Sequence, residues 1–296
     1  MKVLIAGASG LIGSALARLL ETRGHTVSRL VRRPARSAAE VPWDPAAGSL
    51  DPRAVSGQDA VVNLAGSALH LRPWTRSTKE DLLSSRVGST RTLAAAMAAA
   101  EQPPGVFISQ SGSGYYGDRG DEVLTEEAAS GDLFMSAVCR AWEHAVLGAP
   151  GRTVVTRTGI VMAPQAGALP RLLLPVRLGV GGPPGSGRQW WPWITLEDEA
   201  AALAFLLEAD LSGPVNLCAP EPARAGELVA AVAAALGRPA RFRAPEAVLK
   251  AALGEMAENL VLPSARMLPS RLTAAGFAFA QPAVADLARW VAGRAA

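Results

Sequence analysis

The stretch Val3-Leu4-Ile5-Ala6-Gly7-Ala8-Ser9-Gly10-Leu11-Ile12-Gly13 decides how this chain folds. Val3 to Ala6 is a short apolar run, the mark of a strand buried on both faces in a parallel sheet. Gly7 breaks it, and Leu11, Ile12, Ala15, Leu16, Leu19 and Leu20 then recur at helical spacing. In this strand–turn–helix order the three glycines have separate uses. Gly7 permits the tight turn, Gly10 leaves the backbone open to a phosphate, and Gly13 lets the helix lie close to the sheet. The helix start adds unpaired N–H groups and partial positive charge. The segment therefore predicts a cradle for a dinucleotide pyrophosphate formed by Gly7, Ser9, Gly10, Leu11, Ile12 and Gly13.

Outward from that cradle, strands alternate with helices. Residues 26–31 read as a second strand, 59–66 as an apolar strand with a turn at its end, and 78–100 as a long helix closed by Pro103-Pro104. Strands at 106–109 and 153–158 flank a helix at 133–147. This alternation predicts an α/β fold, a doubly wound parallel sheet. Past residue 165 the texture changes. A Gly/Pro-rich stretch carries Trp190, Trp191 and Trp193, which form either a flat wall for a substrate or a plug between lobes. Helices at 197–207 and 226–236 flank a strand at 215–217, and helical pieces at 245–253, 269–275 and 283–291 follow. Residues 1–165 are thus expected to form the dinucleotide-binding domain. Residues 166–296 are expected to form a smaller, mostly helical substrate lobe, with segments able to interleave.

Composition narrows the function. Across 296 residues, 49% hydrophobic and 19% charged content excludes disorder. No apolar run approaches the length of a membrane span, and the apolar start is too short for a signal-peptide core. A net charge of +3, with no long basic block, gives no reason to expect nucleic acid. Cys139 and Cys218 stand alone, without a disulfide framework or metal knuckle, which points to a reducing cytoplasm. His25, His70 and His144 are too scattered for a zinc cluster.

The end of the second strand reads the adenosine ribose. A carboxylate there would bind the 2′-hydroxyl and select NAD. The sequence instead has Val27-Ser28-Arg29-Leu30-Val31-Arg32-Arg33. Arg32 and Arg33 are suited to charge-assisted bonds with a 2′-phosphate, so NADP (NADPH) is the expected cofactor; the plainer reading is a solvated pair on a loop.

Gly7-x-x-Gly10-x-x-Gly13, Asn63-Leu64-Ala65-Gly66 and the Ser-rich strand end before Tyr115-Tyr116-Gly117 resemble the extended short-chain dehydrogenase/reductases, a Rossmann-type fold. More narrowly, the chain resembles their epimerase-like branch, often described as sugar-nucleotide epimerases. The match includes Trp74-Thr75 with Ser85-Arg86, Phe134-x-x-x-x-Cys139-x-x-Trp142-Glu143 and Gly185-x-Gly187-x-Gln189-Trp190 with Trp193-Ile194. The tail Leu268-Pro269-x-x-Leu272-x-x-x-Gly276-Phe277 resembles the branch's small C-terminal domain. The resemblance implies that Asn63, Leu64, Ala65 and Gly66 lie beside the cofactor, joined by Arg86, Ser109 and Arg157. It implies Ser111 near the nicotinamide with Tyr115 beside it, and Arg157-Thr158-Gly159 near the nicotinamide or the substrate edge. Arg86 is also suited to an anionic substrate. A helix-mediated homodimer is a fold-level analogy.

The resemblance also exposes an absence. Members usually employ Tyr-x-x-x-Lys on one helix, where a spacing of four puts both side chains on one face. The lysine lowers the tyrosine pKa, and the tyrosine exchanges a proton with the substrate oxygen. Here Phe134 and Val138 are expected at those two places. The other tyrosines give no replacement, because Arg119 follows Tyr115 at that spacing and Gly120 follows Tyr116. The candidates for acid–base work are Ser111, Tyr115 and Tyr116, with Arg86 or Arg157 available to stabilise negative charge. Two functions follow. One is an NADP-dependent oxidoreductase or epimerase-like enzyme acting on a small polar molecule, such as a nucleotide sugar. The other is a non-catalytic NADPH-binding sensor.

Overall fold

The computed structural model describes residues 1–69, 73–179 and 181–295; His70 lies outside them. Its centre is a sheet of strands β1 (Lys2–Ala6), β2 (Thr26–Val31), β3 (Glu40–Pro42), β4 (Ala60–Asn63), β5 (Val106–Gly112), β6 (Arg152–Thr158) and β7 (Gly213–Leu217). All are parallel, in the order β7-β6-β5-β4-β1-β2-β3. The chain moves outward one way through β1, β2 and β3, then crosses back to β4, so the order reverses between β1 and β4. At such a reversal the loops at the strands' carboxyl ends part and leave a crevice. Ala6 pairs with Asn63, and Asn63 with Ser109, so β1 and β4 end level. β5 and β6 run on past that line, with Gly112 opposite Thr158.

Alternate side chains of β1 serve opposite layers, as the twofold period of a strand requires. Val3 and Ile5 pack with α1 (Leu11–Thr22) through Leu16 and Leu20. Leu4 and Ala6 face the layer of α2 (Arg76–Ala98), through Leu93 and Met97. α3 (Phe134–His144) packs beside α2 and against β5. These strand residues are fully buried, which explains their unbroken apolar run.

After β6 the chain leaves the main sheet. Ile160–Ala163 pairs in parallel with Trp193–Thr195, a small sheet that the sequence pattern does not announce. α4 (Ala168–Arg177) lies between them in sequence. α5 (Leu196–Glu208) then returns to pack on α1, and β7 extends the main sheet. Thr195 caps α5 by accepting from the Asp198 N–H at 3.2 Å. The second core joins α4, α6 (Ala225–Ala235) and the terminal helix Val284–Ala295 around Trp191, Trp193 and Trp290. Trp191 and Trp193 therefore plug the junction between layers. Trp190 lies outside it between the Arg224 and Arg266 guanidinium groups, 4.4 and 4.7 Å from its ring centre. Among the described residues no helix is long and apolar enough to cross a membrane, and none of their acidic, His and Cys side chains cluster as metal ligands.

Candidate functional site

Two adjoining cavities open where the sheet order reverses, and they share Leu64-Ala65-Gly66 as a common wall. The first, of about 1280 Å³, runs from Gly7, Ser9 and Gly10 to Arg32 and Arg33 at the end of β2. The second, of about 650 Å³, is bounded by Leu11, Ser111, one face of α3 and residues from the C-terminal part of the chain.

The first is framed by main chain. Gly7 has φ of +78°, and a Cβ there would stand 2.5 Å from the Leu64 carbonyl oxygen. At Gly13 a Cβ would stand 2.2 Å from the Gly7 oxygen, so α1 can approach the turn only without a side chain. No side chain caps α1, and its first turn carries no carboxylate, which leaves its N–H groups available to an anion. Ser9 and Gly10 are exposed on this cavity, Leu11 faces the second, and Ile12 packs against the core. A pyrophosphate fits this cradle, because the groups that would collide with it are missing.

Arg32 and Arg33 differ. Arg33 is held by a two-pronged ion pair to Glu40, at 2.8 and 2.6 Å. That pair, with the Arg36 N–H, holds the Glu40 carboxyl down at about 2. Arg32 is exposed on the same cavity and has no ion-pair partner among the described residues. Asn63 is fully buried, donates to the Thr90 hydroxyl at 2.9 Å and accepts from the Ala65 N–H at 3.2 Å. It clamps the turn that forms the common wall and lines neither cavity. Ser109 is buried, with its hydroxyl unpaired, and also lines neither.

The second cavity depends on side chains. Ser111 lines it and donates to Glu143 Oε1 at 2.8 Å. Glu143 is also gripped by Arg157, at 3.0 and 2.9 Å. Burial works against the Arg157 charge, but the hydrogen bonds and charge of Glu143 raise its pKa overall. Arg157 in turn donates to the Tyr116 oxygen at 3.1 Å, and Tyr116 donates to Asn216 Oδ1 at 2.7 Å. Tyr115 stacks on the Arg157 guanidinium, 3.5 Å from the ring centre. Neither tyrosine nor Arg157 lines either of these two cavities; they form the support behind Ser111. Burial pushes the Tyr116 hydroxyl up to about 12, so it holds its proton at neutral pH.

The face that α3 presents is one residue away from the sequence expectation. Met135, Cys139 and Trp142 line the second cavity, at the i, i+4, i+7 spacing of one helical stripe. Val138 turns into the core, and Phe134 packs edge-on against Trp74 with ring centres 5.8 Å apart. A step of one residue rotates a side chain by about 100° around a helix, enough to take Phe134 and Val138 off the cavity wall. The missing pair is therefore represented by Met135 and Cys139. A thioether cannot exchange a proton. Burial, with the Glu143 charge adding to it, pushes the Cys139 thiol up to about 11. The signal was present in the sequence as the Met135–Cys139–Trp142 stripe, but locating it required knowing which face meets the sheet.

Arg86 lines the second cavity and not the first. It is 6% exposed, with its guanidinium donating to the carbonyls of Leu82 at 3.1 Å and Ser67 at 3.2 Å. It has no carboxylate partner among the described ion pairs, its Nε has no partner, and it lies over the Trp142 ring at 5.2 Å.

Comparison with known proteins gives concordant matches. Residues 3–218 match the model of the NAD dependent epimerase/dehydratase family, and residues 244–291 match a domain of unknown function, DUF1731. Epimerase family protein MT2273 of Mycobacterium tuberculosis is 41% identical over 281 residues, covering 94% of this chain and 93% of the relative. The crystal structure of human epimerase family protein SDR39U1 (isoform 2) with NADPH superposes with a TM-score of 0.91 at 36% identity, over 99% of both chains. A nucleoside-diphosphate sugar epimerase from Corynebacterium glutamicum gives a TM-score of 0.81 at 34% identity, covering 99% of this chain and 58% of that one.

Proposed function

The chain belongs to the NAD dependent epimerase/dehydratase family, and from that premise we propose that it binds NADPH and exchanges hydride with a small molecule in the second cavity. The observation that carries this reading is the continuity of the two cavities. The uncapped helix start and glycine turn open directly, along Leu64-Ala65-Gly66, onto Ser111. In this reading Gly7, Ser9 and Gly10 hold the pyrophosphate and Arg32 meets the 2′-phosphate. The NADPH bound by the human relative of 36% identity supports the same choice.

The nicotinamide, when bound, supplies or accepts the hydride. The chain's own residues position the partner. Ser111 donates its proton to Glu143, which leaves the Oγ lone pairs to accept from a substrate hydroxyl and hold that oxygen in place. Arg157 fixes Glu143 in that attitude through two bonds. Reduction of a carbonyl would transfer hydride from NADPH to carbon and a proton from solvent to oxygen, leaving NADP and an alcohol. A nucleotide sugar is the substrate implied by resemblance; the largely apolar wall of the second cavity favours a less polar one. A reducing, cytoplasmic setting agrees with the two buried free thiols. A homodimer remains the fold-level expectation, and light scattering measures it.

The test is titration with NADPH and NADH by nicotinamide fluorescence, followed by carbonyl-dependent NADPH oxidation. NADPH should bind at least about tenfold more tightly than NADH. Turnover should fall in Ser111→Ala with NADPH affinity unchanged. Equal affinity for the two dinucleotides overturns the cofactor assignment. Met135 and Cys139 favour a second reading, an NADPH sensor without turnover, because neither supplies a titrating proton near neutrality. Tight NADPH binding with no oxidation across a broad carbonyl panel selects that reading.

A further inference from the structure

A buried guanidinium needs a partner, since removing its charge from water is costly without compensation. Arg86 has two backbone carbonyls, an aromatic face and an orphaned Nε, but no carboxylate among the described ion pairs. Burial lowers its pKa, against the opposing charges of Cys139 and Asp81. Its position on the second cavity makes an anionic ligand the missing partner.

The rest of that cavity describes the ligand's body. Among the described residues no Asp, Glu or Lys lines it, and Arg86 is joined there by one other charged residue, Arg171 on α4. Most other lining residues are apolar, including Leu69, Leu172, Trp191, Met256 and Leu260. Several polar groups there are already engaged. Ser111 bonds Glu143, and Thr158 donates to Glu199 at 2.9 Å. Asn259 accepts from the Met135 N–H at 3.0 Å and donates to the Glu255 carbonyl at 2.8 Å. Gln110 and Ser113 are the neutral polar side chains of this wall with no hydrogen-bond partner among the described residues, so a sugar ring, whose hydroxyls need several partners, would leave part of its hydrogen bonding unmade here. The cavity's roughly 650 Å³ must also admit the nicotinamide end of the dinucleotide, which leaves room for a small molecule.

We propose that the second cavity takes a small carbonyl compound with a hydrocarbon body and one carboxylate, and that the carboxylate pairs with Arg86. This rests on the hydride-exchange reading above and specifies its substrate class. The planar fork of an arginine suits a carboxylate, and the apolar wall suits an aliphatic or aromatic chain.

The experiment uses the full chain, first alone and then saturated with NADPH. Binding of 4-methyl-2-oxopentanoate and phenylpyruvate is measured by calorimetry against their methyl esters and against UDP-glucose. NADPH oxidation is followed in parallel. The acids should bind at least about tenfold more tightly than the esters. That preference should vanish in Arg86→Met and persist in part in Arg86→Lys, while NADPH affinity changes by less than about threefold. The acid-to-ester ratio of the unaltered protein decides the matter even if Arg86→Met fails to fold. Equal binding of acid and ester, tighter binding of UDP-glucose, or no saturable binding of either acid overturns the proposal. Failure of NADPH itself to bind overturns the hydride-exchange reading instead, and the acid-to-ester comparison on the protein alone still judges Arg86.

Discussion

At the glycine-turn end of the first cavity, the groups that would meet a ligand are main chain, the turn itself and the open start of α1, with Arg32 at the far rim. The second cavity is walled by side chains drawn from both ends of the sequence, from Leu11 to Ala265. A backbone site is written locally, in glycines at fixed spacing. A side-chain site is written wherever the fold happens to bring residues together. The first therefore keeps one ligand chemistry over great sequence divergence, while the second is free to change its substrate.

The sharpest way to break this comparison is Gly13→Ala. Its Cβ would meet a backbone oxygen at 2.2 Å, which no side-chain rotation relieves. NADPH affinity in the fluorescence titration should fall by about a thousandfold or more, roughly 4 kcal/mol. A fall below about tenfold would mean that side chains share the first cavity's work. On the other side, Glu143→Gln leaves Arg157 buried without its charge partner, their side chains being 15% and 4% exposed. Chemical denaturation should register a loss of roughly 3–5 kcal/mol. A loss under about 1 kcal/mol would show that the support behind Ser111 is not held by this pair.

How much of this was legible beforehand follows the same division. The glycine turn, the parallel strands of the first half and the helical C-terminal pieces could be read from local spacing, because each is decided within a few residues. The α3 face could not be read to the residue. Phe134 and Met135 are both apolar, and which one meets the cavity depends on how the helix rotates against α2 and β5. Asn63 looked like a cofactor contact because it ends a strand beside the crevice. Its partner Thr90 lies 27 residues away, and that distance in sequence hid its clamping role. The pairing of Trp193–Thr195 with Ile160–Ala163 was hidden for the same reason.

Two milder tests sharpen the comparison. Glu199 on α5 accepts from Thr158, a residue of the second cavity's wall, and burial raises its carboxyl to about 8. A raised folded-state value means that its contribution to stability is complete below the unfolded value of 4.5 and is lost as pH rises toward 8. Glu199→Gln should match the unaltered protein near pH 4.5 and exceed it increasingly as pH rises toward 8, read from denaturation midpoints. A pH-independent difference would contradict the assignment. The smallest effect concerns the rim of the first cavity. Arg32→Ala should weaken NADPH by about tenfold and leave NADH unchanged. Arg33→Ala should cost less than about threefold, because its charge already serves Glu40. The reverse order would exchange their roles.

The Arg33–Glu40 pair has a consequence at a larger scale. With Arg33 held by Glu40, the proposed preference for the phosphorylated dinucleotide rests on Arg32 at the end of β2. A single base change at that codon would then blur the distinction between the cell's anabolic and catabolic stores of reducing equivalents, with the packed interior left untouched.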